Sequence, residues 1–209
     1  MEKIRKLLLE NKAWAKSKID INAEYFVNMA KDQTPDYLWI GCSDSRIPES
    51  EVTNSNPGEI FVHRNIANLV IASDLNFLSV LSYAVEVLKV QHVIVCGHYN
   101  CGGVRAALSQ SDFGLINNWV SAIKDVSFKY DSELTKITNL SEKTNKLVEF
   151  SVREQIRNLS KTAIVQKAWH ERKLPHLHGW VYDIENGTLK EIEYLSPETV
   201  VDSAHKYTF

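Results

Sequence analysis

Cysteine is scarce in this chain, with three among 209 residues, and three cannot all pair. A disulfide framework is therefore excluded as the basis of the fold, and thiols spaced with histidine in a reducing compartment point instead to metal ligation. A surplus of one charge is missing too, because 24 Lys and Arg against 26 Asp and Glu leave a formal net charge of −2. The basic residues are scattered, which argues against nucleic acid as a partner, since phosphate backbones need a clustered positive footprint. Long apolar runs are absent as well. The opening Met1-Glu-Lys-Ile-Arg-Lys-Leu-Leu-Leu-Glu10 breaks its apolar stretch with charge almost at once, unlike an export signal or a membrane span, so the expectation is a cytoplasmic protein with no membrane partner. No internal repeat, low-complexity segment or linker stands out. What remains is enough apolar residue, 44% of the chain, to bury one sizeable core, and the length favours a single domain over 1–209.

Within that domain, residues 1–34 read as a helical arm and 35–209 as an α/β core. Ile4, Leu7, Leu8, Trp14, Ile19, Phe26 and Met29 give a broken apolar stripe over 2–31 that Pro35 stops; such a stripe must be buried against something. Tyr37 to Cys42 is a short, nearly continuous apolar run, as a strand covered on both faces should be. Asn56-Pro-Gly-Glu59 has the composition of a type II turn, and a second strand, Ile60 to His63, follows. Asp74 is placed to cap a largely buried helix over Leu75 to Leu88. A third strand runs Val93 to Gly97. Helices are expected from Gly102 through Ala107, over about 117–130, and as one long helix over about 141–170. His178 to Tyr194 reads as two strands around Asn186-Gly187, an antiparallel hairpin at a sheet edge. The order predicts a mostly parallel sheet, four parallel strands plus an antiparallel edge, flanked by helices on both faces.

The chemistry-bearing residues sit at strand ends. Cys42 ends the first strand, with Asp44 and Arg46 just beyond it; His98 and Cys101 follow the third. Two thiolates and an imidazole supply three of zinc's four tetrahedral corners, which leaves one for water, substrate or Asp44 and so describes a catalytic rather than a sealed site. In parallel sheets ligands bind outside the carboxyl ends of strands whose connections depart in opposite directions. If the first and third strands are neighbours of that kind, the long gap between Cys42 and His98 closes in space.

Cys42-Ser-Asp-Ser-Arg-Ile-Pro48, Pro57-Gly-Glu-Ile-Phe-Val-His-Arg-Asn-Ile-Ala-Asn68, Gly97-His-Tyr-Asn-Cys-Gly-Gly103, Gly114-Leu-Ile-Asn-Asn-Trp119 and His178-Gly-Trp180 occur in an order that resembles the β-class carbonic anhydrases. The resemblance extends to about residue 195. It implies reversible hydration of carbon dioxide to bicarbonate and a proton by attack of zinc-bound hydroxide, with one Zn2+ per chain on Cys42, His98 and Cys101, and Asp44 and Arg46 as the dyad beside the open corner. It places Gln33, Tyr83 and Gly102 at the substrate pocket. It also implies a homodimer or dimer of dimers, with the amino-terminal arm crossing to a neighbour. In a bicarbonate-regulated, bacterial-type branch, Trp39, Arg64 and Tyr182 match an anion site that governs a closed state with Asp44 as fourth zinc ligand; this chain is expected to belong to that branch.

Plainer readings stand beside these. Gln33 reads equally as a solvated amide, Tyr83 as a core aromatic, Trp39 as a ring packed on the sheet and Tyr182 as an ordinary strand residue. Cys96 reads as a small buried hydrophobe and His63 as a hydrogen-bonded structural histidine. His92, His170, His176, His178 and His205 fit no ligand spacing. The zinc set alone also suits a structural or bicarbonate-sensing module. A nucleotide-binding domain is remote, because the segment after the third strand lacks both the dinucleotide fingerprint and the phosphate-loop ending.

Overall fold

A computed structural model describes residues 2–209; Met1, the first residue of the expected arm, lies outside them. The chain divides into two compact units at Thr34 and Pro35. The first holds α1 (Glu2–Ile21) and α2 (Tyr25–Met29). The expected helix is interrupted at Asn22, and Trp14 packs edge-on to Phe26 at 5.6 Å. Leu7, Leu8 and Ile21 of α1 are exposed.

The second unit is built on a five-stranded sheet of β1 (Tyr37–Cys42), β2 (Ile60–Asn65), β3 (His92–His98), β4 (His176–Asp183) and β5 (Thr188–Leu195), in the order β2-β1-β3-β4-β5. The first four strands are parallel and β5 runs antiparallel along β4. Between them lie α3 (Glu49–Thr53), α4 (Leu75–Ser82), α5 (Gly102–Leu108), α6 (Leu115–Trp119), α7 (Ser121–Lys129), α8 (Asp131–Leu134), α9 (Leu140–Ser160) and α10 (Ala163–Arg172). Among the described residues no helix is long and apolar enough to cross a membrane.

Local chemistry accounts for the boundaries. Asp74 caps α4 by accepting from the Asn76 and Phe77 amides, and the helix then widens into a π-turn over Tyr83–Val87. Gly58 takes a φ of +100° in the Asn56–Glu59 turn, a conformation that favours glycine. The single long helix expected over 141–170 is two. Thr162 takes an extended conformation and caps α10 through Val165. No proline or glycine marks that break.

The helices expected on both faces of the sheet are distributed unequally. Leu38, Ile40, Val93, Val95 and Leu177 project from one face and are fully buried against Phe77 and Leu81 of α4, Ile156 and Leu159 of α9, and Val165 of α10. The other face carries Trp39, Ile94 and Cys96, where among the described residues Val52 of α3 is the hydrophobic side chain that a helix contributes. Right-handed crossovers explain this: β2 to β3 and β3 to β4 move the same way across the sheet, whereas β1 to β2 moves the opposite way. The connections leaving β1 and β3 therefore diverge, and a crevice opens between the carboxyl ends of these neighbours.

Candidate metal centre

Cys42 is the last residue of β1 and His98 the last of β3; Cys101 immediately precedes α5. Their ligand-capable atoms lie within 4.8 Å of one another, and all three residues are buried. The Cys42 and Cys101 sulfurs are 4.0 Å apart. A disulfide needs about 2.05 Å, whereas two thiolates about 2.3 Å from one tetrahedral zinc are separated by about 3.8 Å. The Nδ1–H of His98 donates to the Tyr99 carbonyl at 2.9 Å, which turns the Nε2 lone pair toward the sulfurs. That Nε2 is buried with no hydrogen-bond partner. A buried polar atom without a partner is costly unless something else satisfies it, and here a cation would. These donors fit zinc.

The backbone is arranged around the sulfurs. Amides of Gly103 and Val104 point at Cys101. Ala67 adopts a left-handed φ of 62° and directs its amide to Cys42, a conformation that non-glycine residues keep only where the surroundings enforce it. The hydrogen bond with Cys101, opposed by burial and helped by the Ala67 amide, holds the Cys42 thiol well below its ordinary value. The same bond and burial push Cys101 up. Two sulfurs sharing one proton behave in this way, and a divalent ion displaces that proton.

Asp44 stands beside the remaining corner, with Oδ2 3.7 Å from His98 Nε2. Arg46 holds it through Nε to Oδ1 at 2.9 Å, Nη2 to Oδ2 at 2.7 Å and its own amide to Oδ1 at 3.0 Å. Hydrogen bonding from this guanidinium keeps the Asp44 carboxyl well below the usual carboxylate range.

Arg64 donates to the carbonyls of Cys42 at 2.9 Å and Asp44 at 2.6 Å, clamping the segment between them. Trp39 is buried on the same sheet face, and a side chain at Gly41, the register partner of Arg64, would run into its indole nitrogen. Tyr182 lies on that face too, but on β4, three strands from Arg64, roughly 14 Å between backbones. A Cβ at Gly187 would sit 3.9 Å from the Tyr182 hydroxyl. The three side chains thus share one face of the sheet. Gly102 opens α5 and lines a largely apolar cavity of about 700 Å³ with Ile66, Phe113 and Leu140. Tyr83 is half-exposed and packs on Phe61 at 5.7 Å. Phe61 precedes Asn65, the register partner of Cys42, by four residues, about 13 Å of strand, so the subunit does not bring Tyr83 to its own metal ligands. Gln33 is exposed in the amino-terminal unit.

The carbonic anhydrase family model matches residues 37–189. The chain belongs to the carbonic anhydrase family. A carbonic anhydrase from Emericella nidulans is 46% identical over 197 residues, covering 94% of this chain and 86% of that protein. One from Saccharomyces cerevisiae is 31% identical over 197 residues, covering 90% and 88%. Among solved structures, a tetrameric β-carbonic anhydrase of Sordaria macrospora superposes with a TM-score of 0.89 at 39% identity, covering 92% of this chain and 98% of that one. The Coccomyxa β-carbonic anhydrase in complex with acetazolamide gives 0.87 at 38% identity, covering 91% and 87%. The β class and its mostly parallel sheet are shared, and carbon dioxide hydration is the family's reaction.

Sequence reasoning did not find Ala67, whose role depends on a backbone conformation that its side chain does not advertise. It also missed a cluster on the barer sheet face. His92 and His178 are bonded ring to ring at 3.0 Å, His178 meets Glu191 at 2.9 Å, and His176 meets the Tyr194 hydroxyl at 2.8 Å. His92 and His176 are register partners in adjacent strands, a relationship that spacing along the chain cannot reveal.

Proposed function

We propose that this chain interconverts carbon dioxide and bicarbonate with one zinc ion held by Cys42, His98 and Cys101. The observation that carries this reading is the buried, unpartnered His98 Nε2 facing two thiols 4.0 Å apart. Zinc bound there supplies Lewis-acid activation of water at neutral pH. Two thiolates and a neutral imidazole cancel the ion's charge, so orientation by the chain's own groups carries more of the work. Asp44, kept ionised by Arg46, accepts a hydrogen bond from the reacting water and holds it in one orientation toward the substrate. The apolar cavity beside Gly102 admits a small neutral molecule. Tyr83, exposed on its own subunit, and Gln33 reach such a pocket by way of a second copy, in keeping with a homo-oligomer that covers the apolar residues of α1. Unpaired thiols suit a reducing, cytoplasmic compartment.

The bicarbonate-regulated closed state belongs to the same proposal. Asp44 exchanges Arg46 for the fourth ligand position, a short movement given its 3.7 Å from His98 Nε2. Arg64 supports a trigger, because its guanidinium is committed to the Cys42 and Asp44 carbonyls. An anion captured by Arg64, with Trp39 and Tyr182 as further donors, releases that clamp and frees the Asp44 segment.

The test is stopped-flow proton release on mixing the zinc-loaded protein with carbon dioxide, repeated across bicarbonate concentrations. Turnover that falls as bicarbonate rises is expected. Proton release at the uncatalysed background rate would remove the enzymatic reading and leave a sensor; turnover indifferent to bicarbonate would remove the switch.

A further inference from the structure

Tyr99 and Asn100, the two residues between His98 and Cys101, are gripped by one face of α9. Ser141, Asn145 and Glu149 lie one helical turn apart on that face. The Ser141 hydroxyl donates to Asn100 Oδ1 at 3.2 Å, Asn145 Oδ1 accepts from the Asn100 amide at 2.8 Å, and Glu149 Oε1 accepts from the Tyr99 hydroxyl at 2.8 Å. Asn100 has a left-handed φ of 57°, so its amide turns out of the strand direction and Asn145 is its partner. The Tyr99 amide goes to the Tyr182 carbonyl on β4 at 3.0 Å. The Tyr99 carbonyl receives His98 Nδ1. Glu149 is itself fixed by Lys146 and by Lys190 of β5, each at 3.0 Å.

The peptide units that aim the His98 ring and deliver Cys101 are therefore set by α9 rather than by the strand alone. We infer that Asn145 and Glu149, with Ser141, are positioning residues that determine how long zinc is held, acting through Tyr99 and Asn100. This inference rests on the zinc reading above. The partners of metal-binding imidazoles fix ring direction, and their loss commonly costs about 10–100-fold in metal affinity.

A near-duplicate on the same helix provides the control. Glu154 is as buried as Glu149 and accepts from the Tyr130 hydroxyl at 2.9 Å, with Lys129 and Arg157 alongside, yet it touches neither Tyr99 nor Asn100. Zinc-loaded wild type, Asn145→Ala, Asn145→Asp, Tyr99→Phe and Tyr130→Phe are mixed with an excess of a chromophoric chelator, and the rate of zinc transfer is followed, with a thermal midpoint for each. Asn145→Ala and Tyr99→Phe are expected to release zinc about 10–100 times faster than wild type. Asn145→Asp, which keeps the accepting oxygen, should release near the wild-type rate, as should Tyr130→Phe. Should Tyr99→Phe and Asn145→Ala release zinc no faster than Tyr130→Phe, the positioning role is overturned while the metal site stands. A wild-type protein that takes up no zinc overturns both.

Discussion

The two faces of the sheet do different work. The helix-covered face presents Leu38, Ile40, Val93, Val95 and Leu177, all at 0% exposure, and it is dry and aliphatic. The opposite face presents Tyr37, Trp39, His92, His176, His178 and Trp180, joined by aromatic contacts and hydrogen bonds. One face carries most of the hydrophobic stabilisation; the other sets a small buried cluster of Trp39, Ile94 and Cys96 beside polar aromatic side chains. The metal centre belongs to the edge where they meet, because Cys42 continues the alternation of Leu38 and Ile40, whereas His98 continues that of Ile94 and Cys96. Folding and chemistry are thus separable by substitution.

The largest effect should come at that edge. Cys42→Ser is expected to bring both zinc content and hydration to background, as read by metal analysis and stopped-flow. Asp44→Asn should keep its zinc and lose about 10²–10⁴-fold in rate, the usual contribution of a positioned proton-handling group; full activity in this variant would break the division of labour between ligands and carboxylate. On the covered face, Leu38→Ala should cost about 2–5 kcal/mol in denaturant unfolding while zinc-loaded, folded protein keeps its activity. A matching loss of activity per folded molecule would merge the two roles. The smallest effect concerns pH. Burial pushes Glu149 up, but hydrogen bonds from Lys146, Lys190 and Tyr99 outweigh it and hold the carboxyl at about 2 instead of 4.5. Because the folded value is depressed, this stabilisation is complete above about 4.5 and fades as pH falls toward 2. Glu149→Gln should be less stable than wild type above about pH 4.5 and converge with it as pH falls toward 2, so that its acid-unfolding curve is flatter over that interval.

The sequence made the strands and the metal ligands legible for one reason: both are written in short local runs. Tyr37 to Cys42 is apolar and ends in a polar turn, and the structure has that strand over the same residues. His98 and Cys101 are close enough along the chain to be read as a pair. The crossover rule then supplied the convergence with Cys42, and the observed order β2-β1-β3-β4 satisfies it. What escaped depends on tertiary context. The break after Ser160 is made by Thr162 capping its own downstream helix, with neither proline nor glycine to mark it. The uneven distribution of helices follows from the direction of each crossover, which periodicity does not encode. Tyr83 reads as a core aromatic within an apolar helix, but it begins the π-turn and is half-exposed.

Zinc-edge X-ray absorption on the purified, zinc-loaded protein addresses the central claim directly, because it counts donors around the ion. Two sulfurs at about 2.3 Å together with nitrogen at about 2.0 Å are the expected first shell, and both sulfur signals should weaken to one in Cys42→Ser if any metal is retained. A shell of oxygen and nitrogen alone in the wild type would contradict the account.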